Sequence, residues 1–185
     1  IIDKYAAGFA TVGGSQTSAI CGVNDLKNAV CYRASNPIEY ERGRAVTRLL
    51  INGVDFCTGW LASANNHLLT NEHCISSPTD ALNTDYEFGA EAPNCNDPNC
   101  EYCFPGSLSS GATFIKGNPA LDYALVQIAA GNPAGSFGFL EIESRPPVLG
   151  EQIYIPQHPG GRAKEFGIES SENTAGVCRV DSVTE

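Results

Sequence analysis

The sequence predicts an all-β fold made of many short strands. Its 185 residues include 19 glycines and 11 prolines, a turn-rich composition that favours short strands over long helices. Two pairs of turn residues, Asn52-Gly53 and Asn65-Asn66, each separate two apolar runs of strand length. Asparagine and glycine tolerate the unusual backbone angles of tight turns, so both positions predict hairpins.

Residues 1–40 are predicted to form an N-terminal arm. Its first part mixes apolar side chains with Gly and Ser, which predicts one strand and a loose segment. Ala19–Tyr32 follows and carries two spaced cysteines, Cys21 and Cys31. Because the sequence contains no methionine, Ile1 is expected to be a processed or trimmed end.

Residues 41–131 are predicted to form a β-rich unit around one hairpin. Cys57 and Cys74 lie at the outer ends of that hairpin, where a disulfide could cross. Such a bridge would hold His73, the neighbour of the second cysteine, at a fixed point. A histidine whose backbone is held in this way is well placed to act as a general base.

A long polar insertion, Ser76–Gly111, contains Cys95, Cys100 and Cys103. A zinc site is one interpretation, because Cys-x-x-Cys is a common ligand pair. Disulfides are the favoured interpretation, because eight cysteines form an even set that suits an oxidising compartment.

Residues 132–185 are predicted to form a linker followed by further short strands. Asn132–Gly138 is rich in Gly and Pro, as expected of a boundary. Three later apolar runs predict strands at Phe139–Ile142, Gln152–Ile155 and Lys164–Ile168.

Charge and hydropathy exclude several classes of partner. The net charge of −10 argues against nucleic acid and anionic lipid. No apolar run approaches the ~20 residues that a membrane helix needs, so we predict no membrane partner. The cysteines and the missing methionine together favour a secreted, extracellular protein.

Two motifs occur in order along the chain. The first is Cys57-Thr58-Gly59, followed by an apolar strand and then Leu69-Thr70-Asn71-Glu72-His73-Cys74. The second, about fifty residues later, is Leu121-Asp122-Tyr123-Ala124-Leu125. Together they resemble the trypsin-like (chymotrypsin-fold) serine peptidases. The resemblance implies a chymotrypsin-like double β-barrel, with the first barrel at residues 41–131 and the linker and first part of the second barrel at residues 132–185. It also implies that His73 is the general base and Asp122 is the carboxylate that orients it.

The arm, with its two spaced cysteines, is similar to that of the bacterial lysyl-endopeptidase branch of this family. By this resemblance, Cys31 would pair within the Cys95–Cys103 region, and cleavage beside basic residues is favoured. The turn at His158-Pro159-Gly160-Gly161 also resembles that branch. His158 is expected to be structural, because the proline and the glycines make it a turn residue.

The segment that carries the family's nucleophilic serine is missing. Neither Gly-Asp-Ser-Gly-Gly nor a similar pattern occurs after Asp122. Gly176-Val177-Cys178 matches the Gly-x-Cys of related viral enzymes, but Cys178 follows Asp122 too closely and is expected to be a disulfide partner. The chain is therefore expected to hold the whole first barrel and only part of the second.

We therefore predict a secreted trypsin-like serine endopeptidase that acts on proteins or peptides and needs no cofactor or metal. This chain would be one of two, and a companion chain would carry the serine and the rest of the second barrel, since a half-barrel leaves a bare strand edge. The alternative is a catalytically inactive homologue that acts as a binding or decoy protein.

Overall fold

The computed structural model describes residues 23–183. The processed end expected at Ile1, and the strand and loose segment expected in the first part of the arm, lie outside the described residues. Within that range the protein is mostly β. Its strands are β1 (Lys27–Asn28), β2 (Val46–Ile51), β3 (Asp55–Leu61), β4 (His67–Thr70), β5 (Thr84–Phe88), β6 (Ser107–Ser110), β7 (Ala112–Asn118), β8 (Tyr123–Ile128), β9 (Ile155–Gln157) and β10 (Glu165–Gly167).

The helices are short, and each begins with proline at its first position, where the missing N–H costs no hydrogen bond. They are α1 (Pro37–Gly43), α2 (Pro78–Leu82) and α3 (Pro133–Phe137), with single 3-10 turns at Ala29–Tyr32 and Pro159–Gly161. In the part of the chain that the structure describes, no helix has the length and apolar character needed to cross a bilayer.

Seven antiparallel strands form the first barrel, in the order β6-β5-β2-β3-β4-β8-β7. The two outer strands, β6 and β7, are consecutive in the chain and are joined by Gly111 alone. Gly111 has a φ of 75°, which favours glycine, and its N–H donates to the Thr84 carbonyl at 2.9 Å. The sheet therefore curls into a seven-stranded half-barrel in which, among residues 23–183, no ladder joins β6 directly to β7.

Two hairpins build the centre of this barrel, and both match the sequence prediction. Asn52 (φ 51°) and Gly53 (φ 74°) turn the chain between β2 and β3. Asn66 (φ 59°) turns it between β3 and β4, where Leu61 pairs with Leu68. Apolar side chains from alternate strand positions fill the barrel. Its largest fully buried members are Leu49, Leu61, Leu68, Tyr86, Phe88 and Ile128.

The second sheet has three short strands in the order β1-β10-β9 and represents part of a second barrel. The arm contributes to it, because Lys27 pairs with Phe166 and Asn28 pairs with Glu165. A small second core packs beneath this sheet. It consists of Ala29, Tyr32, Tyr40, Phe166 and Ile168.

Two predicted strands differ from the structure. Of Gln152–Ile155, Gln152 makes an isolated bridge with Arg179 and Ile155 is the first residue of β9. The apolar run Phe139–Ile142 forms no strand, and its backbone contact with the first barrel is the bond from Leu140 N–H to the Leu61 carbonyl at 2.8 Å. A strand needs a ladder of hydrogen bonds to a neighbour, and a single bond does not provide one. Phe139 and Ile142 are correspondingly exposed.

Candidate active site

His73 lies in a tight turn directly after β4. The N–H groups of Cys74 and Ile75 both donate to the Asn71 carbonyl at 3.2 Å. Cys74 forms a disulfide with Cys57 on β3, as the sequence predicts. The turn is thus tied to the strand on the other side of the hairpin, which fixes the backbone of His73.

Asp122 lies between β7 and β8, directly opposite this turn. The register of β4 with β8 pairs Thr70 with Ala124. The turn after Thr70 and the loop before Ala124 therefore lie side by side at the same end of the barrel. The side-chain oxygen of Asn118 accepts hydrogen bonds from Ala120 N–H and Leu121 N–H at 2.9 and 3.1 Å, and so shapes the loop. Asp122 itself has a φ of 48°, a left-handed conformation that aspartate tolerates better than most residues.

The two side chains are within hydrogen-bond distance of each other. Nδ1 of His73 lies 2.9 Å from Oδ1 and 2.8 Å from Oδ2 of Asp122, and the His73 backbone N–H donates to Oδ1 at 3.0 Å. Because an ionised carboxylate only accepts, the ring proton lies on Nδ1. Among residues 23–183 no group forms a hydrogen bond with Nε2, so this atom is left to accept a proton from elsewhere.

The electrostatics favour an ionised Asp122. Partial burial acts to raise the pKa of Asp122, but hydrogen bonds from the backbone and ring of His73 and from the Asn71 side chain outweigh it. The pKa of Asp122 therefore lies below its ordinary value. At neutral pH the carboxylate is negative and can stabilise a positive charge on the imidazole.

The carboxylate is less covered than a catalytic aspartate in a closed site would be. The His73 side chain is 40% exposed and the Asp122 side chain 33% exposed, so within residues 23–183 the carboxylate is only partly buried. Within residues 23–183, the hydrogen bonds to the Asp122 side chain come from the 71–73 turn, which covers one side of the carboxylate. The other side faces solvent.

The remaining histidines are not part of this pair. Nδ1 of His67 lies 2.8 Å from Ser63 Oγ within the hairpin turn. His158 is buried, donates from Nδ1 to the Arg162 carbonyl at 3.0 Å and from its backbone N–H to Thr58 Oγ1 at 3.0 Å. Burial, with the charge of Lys164, holds the pKa of His158 well below its ordinary value, as suits a structural histidine.

The cysteines of the insertion form disulfides rather than a zinc site. Cys31 pairs with Cys95, which confirms the pairing that the family resemblance implies, and Cys100 pairs with Cys103. A disulfide sulfur is not a thiolate, so none of these cysteines is a metal ligand in this state. For the same reason Cys57 and Cys74, whose sulfurs lie within 4.8 Å of a ring nitrogen of His73, do not make a metal site with it.

The surroundings of Cys178 do not activate it as a nucleophile. Burial, followed by the carboxylates of Asp25 and Asp181, raises the pKa of Cys178, which is the opposite of what activates a cysteine nucleophile. It forms no disulfide within residues 23–183, so the disulfide expected of Cys178 stays a prediction. Cys21, the one cysteine not yet accounted for, lies outside the described residues.

Comparison with known proteins shows the family of this chain. The family model of the trypsin-like peptidase domain matches residues 57–184, which is more than two thirds of the chain and includes both His73 and Asp122. The chain belongs to the trypsin-like peptidase domain family. Membership of this family indicates the fold and the ancestry of the chain. The catalytic roles of His73 and Asp122 stay predictions.

Relatives of this family member include two curated proteins. The chain is 39% identical over 187 residues to the secreted RxLR effector protein 73 of Plasmopara viticola, covering 98% of the chain and 45% of that protein. It is 31% identical over 149 residues to the uncharacterized protein y4fB of Sinorhizobium fredii (strain NBRC 101917 / NGR234), covering 71% of the chain and 22% of that protein. The chain therefore spans less than half the length of either relative.

A solved structure of Glu endopeptidase in complex with MPD has the same fold. It superposes with a TM-score of 0.52 and 17% sequence identity, covering 89% of this chain and 80% of that one. The match confirms the predicted chymotrypsin-like fold.

Sequence reasoning missed one residue of the site. Asn71 is buried, and its side-chain amide donates to Asp122 Oδ2 at 3.0 Å and to the Asp122 carbonyl at 3.3 Å. Its position two residues before His73 was visible in the sequence. What could not be seen was that Asp122, 51 residues away, would be its partner.

Proposed function

We propose that this trypsin-like peptidase domain is the base-carrying part of a secreted serine endopeptidase that hydrolyses proteins or peptides. The observation that carries the proposal is the contact of His73 Nδ1 with the Asp122 carboxylate at 2.8 Å. Neither residue is needed for the fold of the hairpin, which rests on its disulfide and its strand pairing.

In the proposed mechanism, Nε2 of His73 takes the proton from a serine hydroxyl as that oxygen attacks the substrate carbonyl. Asp122 keeps the ring proton on Nδ1 and stabilises the imidazolium that forms. His73 then gives the proton to the leaving amine. The donors that stabilise the oxyanion would belong to the segment that carries the serine.

The serine would come from a companion polypeptide that completes the second barrel. Support for this comes from the second sheet, which has three strands of two or three residues, and from the apolar side chains exposed after the first barrel. These are Phe139, Ile142, Val148 and Leu149. A sheet of this size with exposed apolar residues nearby needs further strands to cover it. Preference for basic residues in the substrate rests on the lysyl-endopeptidase resemblance.

Secretion is supported by three disulfides within the described residues and by the name of one relative, a secreted effector protein. We take neither a nucleic acid nor a membrane to be a partner, because the net charge is −10.

A second candidate is a non-catalytic homologue that uses the peptidase fold to bind a partner. The observation that favours it is the 39% identity to a protein named as an RxLR effector rather than as a peptidase. In that case the position of the nucleophile, wherever it lies, would hold Gly or Ala.

The test uses native material. Intact mass analysis reports the polypeptides present, and a fluorophosphonate probe reports an activated serine. We expect a labelled serine, placed by peptide mapping on a polypeptide outside residues 1–185, and loss of labelling in the His73→Ala protein. Absence of label from folded native protein, with Gly or Ala at the nucleophile position, would favour the binding protein. Label on the same polypeptide as His73 would reject the companion and keep the peptidase.

A further inference from the structure

Asn71 is a buried residue that contacts Asp122 and lies in the turn that carries His73. It is 3% exposed, although its neighbours Glu72 and His73 reach solvent. Its carbonyl accepts the N–H groups of Cys74 and Ile75, which forms the turn that holds His73. Its side-chain amide points to the other segment, toward Asp122.

The amide holds Asp122 at two atoms. Nδ2 of Asn71 donates to the Asp122 carbonyl at 3.3 Å and to its carboxylate Oδ2 at 3.0 Å. An asparagine amide carries two protons, so one group can serve both acceptors. The bond to the carbonyl braces a backbone that has a φ of 48°, and the bond to Oδ2 fixes the direction of the side chain.

This restraint matters because little else holds the carboxylate. The Asp122 side chain is one third exposed, and its other hydrogen-bond donors are the ring and backbone N–H of His73 itself. Without Asn71, water could take Oδ2 and the carboxylate could turn away from the imidazole. The neutral ring would then no longer be held with its proton on Nδ1.

We propose that Asn71 is a positioning residue that fixes Asp122 in the rotamer facing Nδ1 of His73. It acts through Asp122 and touches neither substrate nor the reacting atoms. The proposal rests on the function proposed above, in which the pair serves as base and carboxylate. Its test therefore includes readouts that need no serine.

The first readout is nuclear magnetic resonance of the wild-type protein. The ring nitrogens of neutral His73 should report a proton on Nδ1, and the side-chain amide signals of Asn71 should shift with the same midpoint as the Asp122 carboxyl signal in an acid titration. If the Asn71 amide does not follow Asp122, the proposed contact is absent and the proposal is overturned.

Two variants extend this test. Asn71→Ala removes the donor, and Asn71→Asp keeps the shape but replaces the donor with a like charge. Each should raise the pKa of Asp122, because the Asn71 hydrogen bond lowers it, and should move neutral His73 toward the tautomer with its proton on Nε2. Asn71→Asp should have the larger effect. Unchanged signals of His73 and Asp122 in a folded variant would show that Asn71 merely fills space.

Asn94→Ala is the matched control, because Asn94 also donates from Nδ2 to an aspartate, Asp97 Oδ2 at 3.1 Å, in the cysteine-rich insertion. It should leave the signals of His73 and Asp122 unchanged.

In an assay of the native protein, Asn71→Ala should lower kcat about ten- to hundredfold with little change in KM. This is the range expected for loss of a hydrogen bond to a charged group. If no variant or wild type turns over, the proposed function fails while the tautomer and titration results still decide the role of Asn71. If Asn71→Ala does not fold, the wild-type titration and the Asn71→Asp variant still test the role of Asn71.

Discussion

His73 and His158 both donate a hydrogen bond from Nδ1, yet the surroundings of His73 suit a charged ring and those of His158 suit a neutral one. At the open end of the first barrel, His73 donates from Nδ1 to the Asp122 carboxylate and is 40% exposed. At the junction of the two sheets, His158 donates from Nδ1 to the Arg162 carbonyl and is 2% exposed. A carboxylate and nearby water stabilise an imidazolium, whereas a neutral carbonyl and a dry site do not.

The junction around His158 uses its charges for structure. Arg48 donates from Nε to Glu87 Oε2 at 2.8 Å, and their side chains are 1% and 5% exposed. Arg48 also donates to the carbonyls of Cys103 and Gly161, which joins the cysteine-rich insertion to the second sheet. Burial, rather than residue type, therefore separates the charges that stabilise the fold from those available for chemistry.

The largest expected effect is on the exposed pair. His73→Ala removes the proposed base, and turnover by the native protein should fall about 10⁴-fold or more, as in other enzymes of this mechanism. The fold should survive, because the hairpin depends on its disulfide and strand register. Hydrolysis of a peptide substrate and a thermal melt measure the two properties.

His67→Ala is the control for that variant, since His67 contacts Ser63 in a turn and not Asp122. Turnover that survives His73→Ala, or falls equally with His67→Ala, would contradict the role given to His73.

The next largest effect is expected at the junction. Glu87→Ala leaves the Arg48 guanidinium buried without its partner and also removes the acceptor of the Gly106 N–H. Breaking a buried pair in this way lowers the free energy of unfolding by about 3–5 kcal/mol. Urea unfolding of the variant and the wild type measures the difference.

Glu41→Ala provides the comparison, because Glu41 forms an ion pair with Arg44 on the surface at 3.1 Å. The loss there should be about 0–1 kcal/mol. Equal losses in the two variants would mean that burial does not distinguish the two kinds of pair.

The features that could be predicted from the sequence are those fixed by local residues. Asn66 and Gly53 provide the backbone angles of their turns, so both hairpins follow from nearby sequence. The motif around His73 and the later one at Asp122 lie next to strands whose register then brings them together.

The features that could not be predicted depend on pairs far apart in the chain. Arg48 lies inside an apolar strand, and its partner Glu87 becomes visible only once β2 pairs with β5. Asn71 likewise needs the β4–β8 register to meet Asp122. The exposure of Asp122 depends on which segments cover one end of the barrel. The pattern of apolar residues along the strands does not predict that cover.

A smaller effect should follow loss of the disulfide that holds His73. Replacing Cys57 and Cys74 by Ser should lower the free energy of unfolding by about 3 kcal/mol, because the bridge closes a loop of 17 residues. The same change at Cys100 and Cys103, which are 3 residues apart, should lower it by about 2 kcal/mol. Urea unfolding tests the order, and a larger loss for the short loop would reject this account.

The most gradual change in stability is expected from His158 as the pH falls. Burial, with the charges of Lys164 and Arg48, holds the pKa of His158 in the folded protein well below the ordinary value of 6.5. The unfolded chain therefore binds a proton below about pH 6.5 that the folded protein does not, and stability present above that pH is lost as the pH falls, by about 1.4 kcal/mol per pH unit. Urea unfolding between pH 7 and 5 measures this loss, because that pH interval lies above the range in which ordinary carboxylates titrate. His158→Asn keeps a side-chain donor near the Arg162 carbonyl but cannot titrate, so it should remove most of this slope, whereas His67→Gln should retain it. An unchanged slope in His158→Asn would assign the pH dependence to other groups and would end the contrast drawn between the two histidines.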